Sequence, residues 1–202
     1  MSKNIFNEAG TIVSNNMIAS NTYEATIKCQ KISKYILPGQ FINILPNKKW
    51  TGVMRRPMSV ASSNENLISI IYKVVGPGTD IMSKWKKNDK IDIIGPLGNH
   101  WSNFDKTPII IGGGVGIAPI LFLHNYLNKK SIDHHMIMGA RNSQEHFLKH
   151  NNQGNFLNIL TTDDGSLGIK GNVIDGLKYI EKDISKLKKY KIFVCGPPIM
   201  ME

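Results

Sequence analysis

The sequence predicts two consecutive domains, an N-terminal β domain over residues 1–102 and a doubly wound parallel α/β domain over residues 103–202. From Thr11 to about Gly98, short β-prone runs alternate with turn residues, a spacing typical of antiparallel barrels and sandwiches. From Thr107 onward, strand-like runs alternate with helix-like segments, which predicts parallel βαβ units. The stretch Asn99–Lys106 is the predicted boundary.

Each domain is predicted from its own series of elements. The β-prone runs of the first domain are TIVSNNMI, YEATIKC, QFINILP, SVASS, LISIIYKVV and KIDIIGP. One helix-like piece, TDIMSKWKKND, interrupts them; Thr79 opens it, and we expect it to cap the barrel. The predicted strands of the second domain are PIIIGG, HMIMGA, FLNILTT and KIFVCGPP. Its predicted helices are GIAPILFLHNYLNKK, NSQEHFLKHN and GNVIDGLKYIEKDISKLKK.

Composition indicates a globular protein. Hydrophobic residues make up 41% and charged residues 20% of the 202 residues, which is ordinary for globular chains and enough for buried cores. The apolar stretch Ile109–Leu123 is too short and too rich in glycine to cross a membrane, which takes about 20 apolar residues. The first ten residues, MSKNIFNEAG, lack the apolar segment of a signal peptide. We therefore expect a soluble, cytoplasmic protein that binds no membrane.

The net charge of +10 raises the question of nucleic-acid binding, but the pattern argues against it. The lysines are scattered, with one cluster at Ile184–Lys191, and no zinc-finger or RNA-binding motif is present. A docking face for an acidic protein partner is the better interpretation of this charge. Cys29 and Cys195 are the only cysteines, and they form neither a disulfide framework nor a cluster site. No metal site is predicted, because His134 and His135 are adjacent in a strand and point to opposite faces.

The segment Gly112–Pro119, GGGVGIAP, follows an apolar strand and opens a helix. Glycine-permitted backbone geometry and a helix N-terminus together suit a pyrophosphate. The usual G-x-G-x-x-G fingerprint fails, because Ile117 stands where the third glycine is expected, and the acidic residue after the next strand is missing. A tight strand-to-helix turn without a ligand is the alternative. A P-loop is excluded, because no Gly-Lys-Ser/Thr closes the segment.

Three further segments carry possible ligand groups. In Arg55–Ser59, RRPMS, an arginine fork could bind a phosphate and Ser59 could hydrogen-bond a heteroaromatic ring. In Ile71–Ser83, glycines would let the backbone approach a ligand ahead of the helix that Thr79 opens. In Thr161–Gly171, TTDDGSLGIKG, aspartates follow a strand at the edge where α/β domains bind ligands. A solvated arginine pair, a capped turn and a D-D-G-S turn are the corresponding alternatives without ligands.

The order of these motifs resembles the ferredoxin–NADP reductase superfamily. The motifs that carry the resemblance follow one another along the chain as R-P-x-S, G-x-G-T, I-x-G-P-L-G-N, I-I-G-G-G-x-G-I-A-P and a strand followed by C-G-P. The match runs from Pro38–Ile44 to the final CGPPIMM. The strings RRPMS, YKVVGPGT, GPLGNHW and TTDDGSLGIKG resemble one branch, the electron-transfer subunits of class 1B dihydroorotate dehydrogenase. The resemblance implies an antiparallel FAD-binding β-barrel followed by a nicotinamide-binding α/β domain.

The resemblance also implies cofactors, a partner and residue roles. Electrons would pass from the FMN of a catalytic dihydroorotate dehydrogenase subunit, through a [2Fe–2S] cluster and FAD, to NAD+, within the heterotetramer of the family. The implied flavin-side residues are Arg56, Pro57, Met58, Ser59, Ile71, Tyr72, Lys73, Gly78 and Thr79. The implied nicotinamide-side residues are Gly113, Gly114, Gly116, Thr162, Asp163, Cys195, Gly196 and Pro197. Cys195 and Ser59 are the positions assigned to the catalytic centre.

One feature departs from the family. Its four cluster-binding cysteines follow the C-G-P strand, whereas this sequence ends at Glu202 with only two cysteines in total. We therefore expect either a subunit truncated before the cluster domain or a relative without a cluster. Two alternative functions stay open: a small subunit of a bifurcating transhydrogenase or sulfide dehydrogenase, and a non-catalytic module that senses flavin or nucleotide. The sequence does not separate NAD from NADP, although the family points to NAD.

Overall fold

The structure of the protein is a computed structural model. In it the chain forms two compact units. The described residues are 4–52, 54–146, 158–182 and 184–201. The two units are Met1–Trp101 and Ser102–Glu202, and each contains its own sheet.

The first unit is a closed antiparallel barrel. Its elements are β1 (Phe6–Ala19), β2 (Thr22–Lys28), α1 (Gln30–Tyr35), β3 (Phe41–Leu45), β4 (Arg56–Asn64), β5 (Leu67–Lys73), α2 (Pro77–Ser83) and β6 (Lys90–Leu97). The strands close in the order β1-β2-β5-β4-β3-β6, with every neighbouring pair antiparallel. The predicted barrel is therefore confirmed, and each of the six β-prone runs contributes one strand.

The barrel interior is filled mainly by isoleucine. Ile12, Ile27, Ile42, Ile70 and Ile93 are completely buried, and each comes from a different strand. Isoleucine suits this position because its branched side chain packs well on a pleated surface and favours extended backbone. Burial of each such side chain contributes about 2 kcal/mol to folding.

Helix α1 was not predicted, and its cap explains why. The carboxylate of Glu8, in β1, accepts hydrogen bonds from the backbone N–H groups of Gln30, Lys31 and Ile32. These are N–H groups of the first turn, which have no partner within a helix. Because the capping side chain lies more than 20 residues earlier in the chain, no local sequence pattern marks the start of this helix.

Helix α2 begins at Pro77, two residues before the predicted start at Thr79, which is a correction to the sequence prediction. Proline suits the first helical position, because its fixed φ angle matches the helix and its missing N–H would be unpaired there in any case. Thr79 is thus the third residue of the helix, and its side chain bonds back to the turn that precedes it.

The second unit is a parallel α/β domain. Its elements are β7 (Thr107–Gly113), α3 (Ile117–Lys129), β8 (His135–Ala140), β9 (Asn158–Thr162), β10 (Ile169–Lys170), α4 (Val173–Ile180), β11 (Tyr190–Cys195) and α5 (Pro198–Met201). The sheet order is β10-β9-β8-β7-β11, and all neighbouring strands are parallel. Strands β8, β9 and β10 follow one another outward on one side of β7, and the last strand, β11, pairs with the other side of β7. The strand order therefore reverses beside β7, which makes the carboxyl end of β7 the topological switch point, where such sheets bind ligands.

Helices cover both faces of this sheet, as a doubly wound fold requires. Ile109 and Ile111 of β7 belong to a buried cluster with Val173 of α4. Gly112 lies on the opposite face of β7, where a Cβ atom would contact Ile117 of α3. The absence of a side chain at Gly112 thus lets the start of α3 pack closely on the strand.

Two predicted helices of this unit differ from the structure. The helix predicted from Gly171 to Lys189 is split: α4 ends at Ile180, and a separate 3-10 turn spans Ile184–Lys189. The break has a physical basis, because Glu181 adopts an extended conformation and its carboxylate pairs with Lys189 at 2.8 Å. Within the helix predicted in NSQEHFLKHN, Ser143–Glu145 form a 3-10 turn that ends at the extended residue His146, and the residues from Phe147 onward lie outside the described residues.

A pair of buried histidines connects α3 to the turn before β8. His124 and His134 are each 2% exposed, and His124 Nδ1 lies 2.7 Å from His134 Nε2. His134 Nδ1 lies 2.8 Å from the carbonyl of Ile132; because a carbonyl only accepts, Nδ1 carries the proton and His134 Nε2 accepts from His124. Asn128 donates to His124 Nε2 at 3.0 Å. Both imidazoles are therefore neutral, and burial lowers the pKa of both, to about 4 for His124.

We expect acid to destabilise the second unit between pH 6.5 and about 4. The unfolded His124 takes up a proton near pH 6.5, whereas the folded one does so only near pH 4. Stability is therefore fully present above pH 6.5 and falls as the pH drops, by up to about 3 kcal/mol. Urea unfolding followed by far-UV circular dichroism at pH 7.5 and pH 4.5 measures the loss. His124→Gln should flatten this pH dependence, and His100→Gln, at an exposed position, should leave it intact; equal slopes in all three proteins contradict the assignment.

Candidate functional site

The loop after β7 leaves open space at the switch point. Strand β7 ends at Gly113, a single 3-10 turn spans Gly114–Gly116, and α3 follows. Gly114 has a φ angle of +53°, in the left-handed region that favours glycine, and among the described residues no atom lies within 4 Å of where its Cβ would be. The N–H groups of the first turn of α3 have no partner within the helix. The Ile117 N–H bonds to carbonyls of the preceding 3-10 turn, so the features that the loop shares with an anion site are bare backbone and room at the start of a helix.

The C-G-P motif lies against this loop, although about 80 residues separate the two in sequence. A Cβ on Gly116 would lie 2.5 Å from the carbonyl oxygen of Cys195 and 2.7 Å from the Cα of Gly196. A Cβ on Gly113 would contact the sulfur of Met200 in the same way. Parallel pairing of β11 with β7, with Cys195 opposite Gly112, brings the two motifs together. The two motifs predicted on the nicotinamide side thus form one cluster of backbone.

Both cysteines are held in the neutral thiol form. Cys195 is half-buried at the end of β11, and burial raises its pKa above the ordinary value. Cys29 is buried in the barrel, and burial, with the nearby Glu8 carboxylate, raises its pKa to about 12. A reactive cysteine needs the opposite environment, one that stabilises the thiolate. Cys195 can therefore contact a bound ring as a small neutral group, but it is not activated as a nucleophile.

The loop after β9 is braced by its own side chains. Thr162 is fully buried; its hydroxyl donates to the Leu167 carbonyl at 2.8 Å and accepts from the Leu167 N–H at 3.1 Å. Asp164 accepts from the hydroxyl and N–H of Ser166, and these hydrogen bonds lower its pKa. Asp163 is exposed. Of the two residues predicted in this loop, Thr162 shapes the turn through its hydroxyl, and Asp163 is exposed to solvent.

The two arginines at the start of β4 have different surroundings. Arg55 forms a salt bridge with Asp92 at 2.7 Å, so its charge is compensated within the barrel. Arg56 donates through Nη2 to the carbonyl of Met54 at 2.7 Å, and its buried Nε has no acceptor among the described residues. A buried N–H without an acceptor is unfavourable by about 1–3 kcal/mol. The RRPMS motif alone does not distinguish the two arginines, and the family resemblance named Arg56; the structure leaves Arg56 with N–H donors that have no acceptor among the described residues.

The remaining flavin-side candidates are divided between accessible and buried positions. Pro57 is exposed, and Met58 and Ser59 are half-buried; no hydrogen bond to the Ser59 hydroxyl comes from the described residues. Tyr72 is 2% exposed, and its hydroxyl donates to Asn15 at 2.9 Å. Its burial raises the pKa of the phenol. The Tyr72 side chain is therefore part of the barrel core. Its strand neighbours have different exposures, Ile71 being buried and Lys73 half-buried.

The turn before α2 is held by Thr79. Its hydroxyl accepts from the N–H groups of Val75 and Gly76 at 2.9 and 3.2 Å, and it donates to the Gly76 carbonyl at 3.0 Å. The hydroxyl has no further proton to offer, so any phosphate contact at Thr79 falls to backbone N–H groups. Gly78 lies under the Arg56 side chain, where a Cβ would come within 2.8 Å of Arg56 Cδ. Glycine at 78 therefore makes room for the arginine.

One neighbour of this site was missed by the sequence reading. Trp50 lies in the loop between β3 and β4, and its ring centre is 5.4 Å from the Arg56 guanidinium carbon. A tryptophan in a lysine-containing loop, NKKWTG, carries no signal that would assign it to a site.

Among the described residues, no group of three or more histidine, cysteine, aspartate or glutamate side chains is arranged to bind a metal. None of the helices described there has both the length and the apolar character needed to cross a membrane.

Similarity to known proteins agrees with this geometry. Residues 110–202 match the family described as oxidoreductase NAD-binding domain. The chain is 34% identical over 198 residues to the dihydroorotate dehydrogenase B (NAD(+)) electron transfer subunit of Fusobacterium nucleatum, covering 95% of this chain and 76% of the relative. It is also 34% identical over 208 residues to the corresponding subunit of Streptococcus mutans, covering 98% and 76%. The chain belongs to the family of dihydroorotate dehydrogenase B electron transfer subunits.

Solved structures are also similar to this chain. An NADH-dependent reduced ferredoxin–NADP oxidoreductase, studied for flavin-based electron bifurcation, superposes with a TM-score of 0.75 at 30% identity, covering 95% of this chain and 69% of that one. Ferredoxin–NADP+ reductase from Plasmodium falciparum superposes with a TM-score of 0.77 at 17% identity, covering 96% and 88%. The second similarity shows the fold alone. The chain thus has the predicted ferredoxin reductase-like fold.

We expect the contact between Gly116 and the C-G-P segment to tolerate no side chain. In Gly116→Ala the added methyl meets backbone atoms of Cys195 and Gly196, which cannot rotate away, so the free energy of unfolding should fall by roughly 1–3 kcal/mol. Gly114→Asn is the matched control, because the space around residue 114 is open and asparagine tolerates a positive φ angle. Urea unfolding of both variants at pH 7.5 tests this, and equal losses contradict it.

We expect both thiols to react slowly in the folded protein. Only the thiolate attacks Ellman's reagent, and the raised pKa values of Cys29 and Cys195 reduce the thiolate fraction at pH 7.5 below that of a free cysteine. The Cys29→Ala variant isolates Cys195, which should react more slowly in the folded protein than in the same protein unfolded in urea. If folded Cys195 instead reacts faster than the unfolded chain, its thiol is activated and the structural assignment is wrong.

Proposed function

We propose that this chain binds FAD through its first unit and a nicotinamide dinucleotide through its second. It would carry electrons from dihydroorotate oxidation in a catalytic partner subunit to NAD+. The observation that carries this proposal is the bare glycine loop at the switch point of the parallel sheet, with Cys195–Pro197 packed against it. Membership of this family supports the direction of electron flow and a catalytic dihydroorotate dehydrogenase subunit as the partner.

The residues of the first unit fit the diphosphate and ring system of FAD. Arg56 is a planar cation with an unpaired buried Nε, a donor set that suits the oxygens of a diphosphate. Gly78 lies beside Arg56 and has no side chain; a Cβ at this position would collide with the arginine side chain. Ser59, in the same strand as Arg56, offers a hydroxyl to which no described residue is hydrogen-bonded. Pro57, which is exposed, and Met58, which is half-buried, would add apolar contacts.

The residues of the second unit fit a nicotinamide dinucleotide. Gly113, Gly114 and Gly116 leave room for a diphosphate at the start of α3, where the helix dipole favours negative charge. Asp163 follows β9 on the same carboxyl edge of the sheet and could accept hydrogen bonds from ribose or amide groups. Thr162 would hold the loop that carries Asp163.

The protein's own contribution to the chemistry is alignment. When bound, FAD supplies the ability to exchange a hydride with nicotinamide and single electrons with a one-electron carrier. Cys195 stays a neutral thiol beside Gly196 and Pro197, so it adds no charge to the surroundings of a nicotinamide ring. The Ser59 hydroxyl can donate or accept one hydrogen bond at a ring heteroatom, which would fix the orientation of the flavin. None of these steps requires a residue to act as a general acid or base.

A second candidate function has one observation in its favour. The bifurcating NADH-dependent ferredoxin–NADP oxidoreductase matches this chain at 30% identity over 95% of its length, close to the values for the dihydroorotate dehydrogenase subunits. The nucleotide and flavin sites would be the same in both functions, and only the electron partner would differ. Mixing the chain with an FMN-containing dihydroorotate dehydrogenase subunit separates them. Formation of a stable complex supports the first function, and failure of a chain that binds FAD and NADH to form one supports the second.

We expect the protein to bind FAD through Arg56. Reconstituted protein should show flavin absorption bands that NADH bleaches under anaerobic conditions. Arg56→Ala removes charge-assisted hydrogen bonds of about 1.5–3 kcal/mol, so the dissociation constant for FAD should rise roughly 10- to 100-fold. Arg55→Gln is the matched control, because Arg55 is already paired with Asp92 and should contribute little to FAD affinity. Fluorescence titration with FAD gives both constants; failure of the unmodified protein to bind FAD overturns the proposed function.

A further inference from the structure

The loop between β3 and β4 builds a stack around Arg56. The Trp50 ring centre lies 5.4 Å from the guanidinium carbon of Arg56, within the range of a cation–π contact. On the other side, Gly78 lies against the arginine stem, with a virtual Cβ 2.8 Å from Cδ and 3.2 Å from Cγ. Arg56 is thus enclosed between an indole and a bare backbone.

A single carbonyl connects the two side chains. The oxygen of Met54 accepts from Trp50 Nε1 at 3.1 Å and from Arg56 Nη2 at 2.7 Å. A carbonyl oxygen has two lone pairs, so these two hydrogen bonds use its full capacity. Gly52 lies directly beneath the indole, because a Cβ at this position would overlap the Trp50 ring. The loop therefore fixes the indole, and the indole and the carbonyl together fix the guanidinium.

This arrangement leaves a defined part of the arginine unused. Of its five N–H donors, one goes to Met54, and the buried Nε has no acceptor among the described residues. A flexible arginine at a surface would turn to place Nε in water, whereas the stack prevents this rotation. The loss of side-chain freedom has then already occurred before a ligand arrives.

We propose that Trp50 is a positioning residue for FAD: it holds the Arg56 guanidinium in the orientation that binds the FAD diphosphate, and it does so without touching the diphosphate itself. The inference rests on the proposed function, because it assumes that Arg56 is an FAD ligand. It adds a residue outside the RRPMS motif, on a different loop, whose effect on FAD affinity passes through Arg56.

FAD titration of four variants of the full chain, freed of cofactor, tests the inference. Trp50→Leu removes the stack and the indole donor, and the dissociation constant for FAD should rise roughly tenfold. Trp50→Phe retains an aromatic face and should stay within about threefold of the unmodified protein. Lys49→Leu changes the charge of the same loop at an exposed residue and should stay within about twofold.

The fourth variant decides whether Trp50 acts through Arg56. In the double variant Trp50→Leu/Arg56→Ala, FAD affinity should equal that of Arg56→Ala alone, because no guanidinium remains to be positioned. NADH affinity, which depends on the second unit, should be unchanged throughout, and thermal unfolding of the cofactor-free proteins verifies that each variant folds.

The outcomes separate the two proposals. If the unmodified protein binds no FAD, the proposed function fails. If it binds FAD, Arg56→Ala weakens binding and Trp50→Leu does not, only the role of Trp50 fails. If the Trp50 and Arg56 effects are additive in the double variant, Trp50 contacts the ligand or supports the fold independently, and its assignment as a positioning residue is overturned.

Discussion

The close approach of Gly116 to the backbone of Cys195 and Gly196 is the constraint on which the second unit depends. It is possible only because β11 returns to the free side of β7 and runs parallel to it, with Cys195 opposite Gly112. A side chain at residue 116 would push apart the turn that opens α3 and the end of the last strand of the sheet. The same contact thus fixes the position of α3, the openness around Gly114, and the location of the C-G-P segment at the switch point.

A comparable constraint acts in the first unit, where it concerns charge. Two arginines in sequence enter β4, and the barrel supplies one carboxylate, Asp92, which pairs with Arg55. The stem of Arg56 is packed against Gly78, and its buried Nε finds no acceptor within the described part of the chain. A buried donor of this kind reduces stability unless a ligand completes it, and such departures from full hydrogen bonding are expected at functional sites. In the described part of this barrel, the departure lies at an arginine of the RRPMS motif.

The elements that sequence predicted well are those whose signal is local. The six barrel strands, β7 and α3 follow from runs of β-branched residues, glycine turns and the alternation of strand and helix. Helix α1 could not be predicted, because its cap is Glu8 in another element. The break after Ile180 was missed for a related reason, since the return of the chain is stabilised by the Glu181–Lys189 pair, which exists only once the turn has formed. Local patterns thus determined most of the fold, and long-range polar contacts determined the exceptions.

The difference between local patterns and contacts formed only in the folded protein also explains what the sequence revealed about the site and what it did not. The motifs identified the loops, but they did not show that the hydroxyls of Thr79 and Thr162 are used within those loops. The Thr79 hydroxyl accepts from two backbone N–H groups and that of Thr162 from one, and each donates to a carbonyl of its own turn, so both act as rigid internal braces. Under the proposed function, ligand recognition would fall to the open backbone at Gly114, to the Ser59 hydroxyl, and to the Arg56 N–H groups that have no acceptor among the described residues. A site built in this way is rigid before any ligand binds, because the side chains that could adapt are already committed to holding the loops, and a small number of fixed donors carries the specificity.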